Sequence, residues 1–569
     1  TLATNVLTVD VPNGTVTNAN MTLDGSIGFG PYLEVNLGSA SNPTQPIYRV
    51  PGTLTATGSG AIQVTINGTG LTEGQFPLIA YGTLAGDGLA AFNPTVTVLG
   101  ATATLTNTGT SIDVLITGVN AEEWTGVVNG DWDFLTVNWT NRSGGFSTTY
   151  TGVLPVLFDD NAPGTTAVNL TTAVTPPLMT VSNATKSYSF TSTGGQLSGA
   201  AQLVKKGSGT MTINAPNDYS GATFIQQGTL KLGASEVIPN GTGKSDPIIN
   251  GVLDLAGFNE TVNEFSGTGV ITNSTGTLST FTFGLGTTTG GFDGGFAGPV
   301  QALRVNAGTF TLRGSSTHTG GTIVQRGRLD LANTNGQCLA SDLTLEGVAG
   351  NPSGNVVRLG ASEQIADTAR VIYAGNNDKD LRFSMMGFNE TLAGIVSAVT
   401  ATNNVIFEAA SDQVSNAPAV LTIVSPAGQT NVCTAGNVYL RDAAFGTLGS
   451  ATNNPGFVNP SPLTVVKTGP GTQVFGVNGP YTGYIGFSGG LRVDQGTFVL
   501  LNAAASNSRI TNDATLVLDL NTFPPTDGPY GLSYATNYWQ SNSVSGSGTI
   551  IKKGDATLVL DGPVAQGAL

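Results

Sequence analysis

One short pattern recurs along the chain, and it constrains the fold more than any other feature. Residues 203–233 read LVKKGSGTMTINAPNDYSGATFIQQGTLKLG, and residues 303–331 read LRVNAGTFTLRGSSTHTGGTIVQRGRLDL. Residues 463–501 carry the pattern with a small insertion, and residues 549–560, TIIKKGDATLVL, begin it again. Two more motifs repeat: GFNET at Gly257–Thr261 and Gly387–Thr391, and a lead-in of small residues at Leu197–Gly199 and Val544–Gly546. Spacing between copies is uneven. Gly228 to Gly327 is 99 residues (327 − 228), and Gly327 to Gly496 is 169 (496 − 327). A closed propeller needs near-equal blades, whereas a solenoid tolerates loops of any length, because each coil touches only its neighbours.

The repeats carry strand periodicity. In Gly228–Gly233 (GTLKLG), Leu230 and Leu232 share one face while Thr229 and Lys231 share the other. Residues two apart lie on one side of a pleated strand, so each run predicts a half-buried strand of four to six residues. Helical spacing of apolar residues is almost absent. The fold expected is all-β, with Leu230, Leu232, Leu329, Leu331, Phe498 and Leu500 pointing into a solenoid core. At roughly 20–25 residues per coil and ~4.8 Å between stacked strands, such a chain reaches on the order of 100 Å.

Composition narrows the function classes. Only 10% of the 569 residues are charged, against about 25% in an ordinary soluble domain. The 39% hydrophobic content, spread in short alternating runs, argues for an ordered core rather than disorder. The net charge of −15 and the lack of any basic cluster beyond a lysine pair argue against nucleic-acid binding. No stretch of about 18 apolar residues is present, so no transmembrane helix is expected.

The segments fall into three parts. Residues 1–119 form a strand-rich end or capping module, residues 120–160 a Trp-rich junction holding Trp124, Trp132 and Trp139, and residues 161–569 the repeats. The repeats resemble the autotransporter-associated β-strand repeat, also called the passenger-associated transport repeat. The residues that carry the likeness are Lys206, Gly207, Gly209, Tyr219, Gly221, Thr223, Gly228, Thr229 and Leu230. The tryptophan segment resembles the start of passenger regions, and FPLIAYGTL resembles the module that usually closes them. The resemblance implies an elongated right-handed parallel β-solenoid, displayed at a bacterial cell surface or released outside the cell. Two departures from the resemblance stand out: no translocating barrel is expected within these residues, and the closing module comes first.

Candidate chemistry is sparse. His318 is the single histidine, and it fills the turn position held by Tyr219 and Tyr481 in other copies, which points to a structural role over general-base catalysis. The pairs Asp131/Asp133, Asp159/Asp160 and Asp378/Asp380 have the acidic character of a polysaccharide-cleaving β-helix, but each lies in a polar turn-like stretch. Asp159-Asp160-Asn161 offers hard oxygen ligands for Ca²⁺ without the full loop such sites need. The tryptophans suit sugar stacking or, more simply, a packed cap. Eleven N-x-S/T sequons include Asn138, Asn141, Asn183, Asn259 and Asn389, the last two inside GFNET, where Asn serves a turn. Cys338 and Cys433 are either small buried apolar residues or a disulfide, which needs Cα atoms within about 7 Å. No cofactor and no metal are expected.

The leading expectation is an extracellular structural protein, not an enzyme. Copies are expected to join head-to-tail: Leu7, Val9 and Val11 share one face of an N-terminal strand, and the repeat broken off after Leu558 and Leu560 leaves an open coil. The alternatives are a surface adhesin contacting a glycan or protein, and a polysaccharide-degrading β-helix enzyme.

Overall fold

A computed structural model describes residues 6–10, 15–26, 31–38, 42–68, 71, 74–98, 101–142, 144–285, 289–305, 308–348, 355–375, 380–399, 404–410, 417–435, 437–443, 462–476, 484–486, 488–502, 508–521, 537–540 and 543–568. Strands dominate. The one helical element among the described residues is a single 3₁₀ turn, Gly88–Ala91. No described helix is long and apolar enough to cross a membrane. The chain divides into two compact units, Thr1–Pro239 with Gly243–Val252, and Asn240–Thr242 with Leu253–Leu569.

In the first unit, strands Val6–Asp10, Tyr32–Gly38, Gln63–Gly68 and Thr95–Val98 stack in parallel. A second parallel stack holds Met21–Asp24, Tyr48–Thr57 and Gly74–Gly86. Antiparallel strands Ala101–Asn107 and Ser111–Val119 then link the two stacks. The residues FPLIAYGTL lie in Gly74–Gly86, with Phe76, Leu78 and Ile79 in the core.

Parallel stacking restarts inside the tryptophan segment. Glu122–Trp124 pairs in parallel with Val156–Asp159 and, on its other side, antiparallel with Trp139–Asn141, which pairs with Phe146–Thr148. Val156–Asp159 leads into the stack Leu178–Ser182, Gln202–Lys206 and Thr223–Ile225. A second stack runs through Ala167–Leu170, Tyr188–Ser192, Thr210–Ile213 and Thr229–Leu232. The second unit repeats the plan, for example Thr309–Leu312, Gly327–Leu331, Asn355–Leu359 and Asp380–Ser384. This is the parallel β-solenoid that the alternating repeats predict. Leu230, Leu232, Leu329, Leu331, Phe498 and Leu500 are all buried, as their shared strand face requires.

The corners are the costly part of such a fold. Where the chain turns, carbonyls leave the strand ladder and still need donors. Lysine supplies them. The Lys205 ammonium donates to the carbonyls of Lys206 (2.6 Å), Gly207 (2.8 Å) and Gln227 (3.3 Å). Lys467 repeats the arrangement on Thr468 (2.7 Å), Gly469 (2.8 Å) and Gln495 (3.3 Å). Lys552 bonds the Lys553 and Gly554 carbonyls in the same way. Gly207 must be glycine: its φ is +68°, and a Cβ would meet the Asn183 carbonyl oxygen at 2.3 Å. Register places Arg304 where the others have lysine, since Arg304 faces Val324 as Lys205 faces Ile225. Buried Arg304 pairs with Glu264 at 3.5 Å and lies over the Phe283 and Phe310 rings.

Lys205→Met keeps the apolar stem and removes the donor to three turn carbonyls. The expected loss is about 1–3 kcal/mol, read as a lower denaturation midpoint and faster amide exchange at Gly207 and Gln227. Unchanged exchange there refutes the role given to the ammonium.

Candidate functional site

The aromatic residues at the start of the solenoid form a plug. Trp124, Trp132 and Trp139 are all fully buried. Trp139 meets Trp124 edge-on at 5.0 Å and Trp132 at 5.3 Å, and Phe158 packs against all three. The Trp124 indole N–H donates to the Thr165 carbonyl at 2.8 Å. With all three rings enclosed, no ring face of theirs is open to a sugar. Several apolar residues of the same segment are exposed, however: Leu135 is 86% exposed and Val153 73%, with Val127, Val128 and Phe146 also exposed.

His318 is buried, and its Nε2 lies 3.0 Å from the Thr322 hydroxyl. Tyr219 bonds the Thr223 hydroxyl at 2.6 Å, the same partner four residues on. The two residues therefore do one job in two repeats; Tyr481 lies outside the described residues. Burial pulls the His318 pKa down to about 4, so its neutral form fills the turn.

The acidic pairs are engaged in local structure. Asp131 accepts from the Asn129 and Asn169 amides. Asp133 accepts the Leu135 and Thr136 N–H groups. Asp160 receives the N–H groups of Ala184, Thr185 and Lys186, and these three bonds hold its pKa near 2 against the opposing effect of burial. Asp159 binds Asn161. Oxygens so occupied have little left for Ca²⁺, and among the described residues no group of three or more acidic, His or Cys side chains has metal-site geometry. Asp378 lies outside the described residues. Asp380 pairs with Arg382 at 2.9 Å, beside a buried Glu408 that bonds Arg441 at 2.9 Å.

The cysteines do not pair. Both are free, buried thiols. Cys338 Sγ lies against the Leu312 carbonyl and Gln364 Oε1, at 3.3 and 3.2 Å. Burial pushes its pKa up to about 11 and that of Cys433 to about 12, which leaves both unreactive near neutral pH. Asn138 and Asn183 are likewise buried, so neither sequon can carry a glycan in the folded chain. Asn259 and Asn389 each accept one backbone N–H from a neighbouring coil, Thr280 at 2.8 Å and Val420 at 2.9 Å, as the repeated GFNET predicts.

The structure also exposes a repeat that the sequence reading missed. Gly233-Ala234-Ser235-Glu236 recurs as Gly360-Ala361-Ser362-Glu363. Glu236 and Glu363 share φ of 54°, a left-handed conformation rare outside glycine. Each precedes a GFNET motif by one coil. The carboxyl oxygens of Glu390, in the second GFNET, accept the N–H groups of Gln364 and Ile365 at 2.9 and 3.0 Å. Burial pushes its pKa up to about 8. The visible signal was two four-residue matches 127 residues apart (360 − 233), close to the 130 between GFNET copies (387 − 257).

Two outcomes follow from these sites. His318 has a folded pKa of about 4 and an ordinary value of 6.5, so the unfolded chain binds the proton between those values. Its contribution is complete above pH ~6.5 and falls as pH drops toward ~4, by on the order of 3 kcal/mol. His318→Tyr should fold normally and lose that part of the acid sensitivity, measured by denaturant midpoints at neutral and acidic pH. Glu390→Gln leaves one of two buried N–H groups without an acceptor and should cost about 1–3 kcal/mol; an unchanged midpoint contradicts the capping role.

Comparison with known proteins agrees with this geometry. The passenger-associated-transport-repeat pattern matches residues 203–232, 305–331 and 465–500. The chain is similar to a protein described as an adhesin autotransporter, BmaC, from Brucella suis biovar 1 (strain 1330), with 27% identity over 377 residues. The match covers 63% of this chain and 10% of that protein, so the chain spans about a tenth of the length of its relative. No solved structure matches. The chain is thus a β-solenoid protein that carries three copies of the passenger-associated-transport repeat.

Proposed function

We propose that this chain is a structural passenger segment, held at a bacterial surface or outside the cell. In it, residues 161–569 supply the stacked repeats, 120–160 the aromatic junction ahead of them and 1–119 a capping module. The observation that carries the reading is the fate of the chemistry-bearing groups. The histidine, the described acidic pairs, both cysteines and the three clustered tryptophans are each taken up in turns, pairs or core packing, which favours scaffolding over catalysis. The repeat match and the adhesin relative support surface display.

Within that reading, copies join head-to-tail. Val6–Asp10 is the outer strand of its sheet, pairing only with Tyr32–Gly38 among the described residues, with Val9 buried and Leu7 half-buried. Val11 lies outside the described residues. Among the described residues Thr557–Leu560 pairs only with Asn537–Gln540, and Leu558 and Leu560 are half-buried. Added strands at these edges give main-chain hydrogen bonds along a joint, and a heterologous joint generates a filament.

An adhesive role is the second reading, favoured by the exposed Leu135, Val153 and Phe146 of the tryptophan segment. Deleting residues 1–12 should leave a folded monomer that forms no filaments by electron microscopy; filaments from that variant reject the joint. Leu135→Lys with Val153→Lys should lower attachment of particles coated with the chain to host-cell layers; unchanged attachment rejects the adhesive reading and leaves the structural one standing.

A further inference from the structure

One outward face of the second unit differs from the faces of earlier repeats. Strands Thr430–Cys433, Thr472–Gly476, Thr497–Leu501, Thr515–Asp519 and the Thr549–Lys553 part of Val544–Lys553 stack in parallel, with no register shift across these rungs. The register aligns Thr430, Thr472, Thr497, Thr515 and Thr549 in one column. Val432, Val474, Val499, Val517 and Ile551 fill the next column, two residues along each strand. The alternating residues Cys433, Phe475, Phe498, Leu500 and Leu516 are buried, so both columns face outward. Nine of these ten residues are exposed or half-buried; Val517, at 7%, is buried.

Earlier repeats place charge at the same positions. Where the late repeat has Thr497 and Val499, the earlier copies have Thr229 with Lys231, and Arg328 with Asp330. The late face carries no charged side chain in either column, in a chain of net charge −15. Charge appears at the margins, at Asp519 and Lys553 in the next column on one side and at Asp513, two residues before Thr515, on the other.

The ten positions form a regular array with a hydroxyl row and a methyl row. Rungs repeat every ~4.8 Å, and the two rows lie ~6.7 Å apart. The array spans on the order of 250 Å², well below the ~800 Å² per partner of a stable protein interface. It holds no aromatic ring for stacking on a sugar and no charge for an ionic polymer. What it matches is an uncharged partner with a two-dimensional lattice. Oxygen rows on the surface of hexagonal ice repeat close to both spacings. Threonine hydroxyls can join those rows, and the neighbouring methyls hold adjacent water in place without competing for its hydrogen bonds. The strand ladder fixes the spacing in advance, so little ordering is left to be done on binding.

We infer that the threonine–valine face from Thr430 to Ile551 binds ice. The inference stands apart from the head-to-tail reading, because ice adsorption and filament formation are separate readouts.

The purified chain is tested beside Thr497→Arg and Val499→Lys. Both variants copy side chains that equivalent outward positions already carry, and circular dichroism and melting temperature confirm their folding. The native chain should open a gap between the melting and freezing points of a seeded ice crystal, and should be enriched in slowly grown ice. Both variants should lose the gap and be excluded from ice. A native chain that is excluded from ice without a gap overturns the inference. So do folded variants that retain the gap, or sedimentation showing a dimer that Val499→Lys dissolves, which makes the face a contact between copies.

Discussion

Every coil of this protein must satisfy the carbonyls that leave the strand ladder at its corners. Apolar stacking alone cannot do this, because a buried carbonyl without a donor costs more than a methylene contact returns. The chain meets the requirement with a small set of side chains whose polar ends turn inward. Lys205 and Lys467 each gather three carbonyls. Asparagine does the same on a smaller scale: Asn355 donates to the Val324 and Glu346 carbonyls, and Asn431 to Ala393. Glu390 performs the converse task for orphan N–H groups. The ladders are regular because these corners are satisfied.

The interior also encloses part of the chain's ionisable inventory. Lys205, Lys206, Lys467, Arg304, Glu260, Glu390 and Glu408 are all at least 98% buried. Burial depresses the lysines and raises Glu390, which marks how strongly the interior resists charge. Lys205, Lys467 and Glu390 are tied to backbone atoms of specific turns, while Arg304 pairs with Glu264 and Glu408 with Arg441. They fix where one coil ends and the next begins, a task that interchangeable leucines cannot perform.

Strand positions were legible in the sequence because side-chain alternation is local: Leu230 and Lys231 declare opposite faces within a single strand. The equivalence of His318 and Tyr219 was legible for the same reason, since both sit at one offset from a Gly-rich turn. The corner chemistry was not. Lys205 bonds the carbonyl of Gln227, and Glu390 the N–H groups of Gln364, one coil away and at separations that change from coil to coil. Nothing in one coil names its partner in the next. The lysine pair at Lys205–Lys206 read as a small basic cluster, whereas both side chains are enclosed. The parallel start at Glu122–Trp124 was also hidden, because its partner strand begins at Val156, beyond a hairpin.

The aromatic plug has an optical consequence. Three of the four tryptophans are packed within one coil of the solenoid start, in contact with each other and with Phe158. Intrinsic tryptophan emission therefore samples mainly that one segment, while the tyrosines, spread from Tyr32 to Tyr538, sample most of the sequence. In an array whose coils touch only their neighbours, unfolding need not be a single event. A mismatch between the two signals during denaturation is then a measure of how far cooperativity extends along the stack.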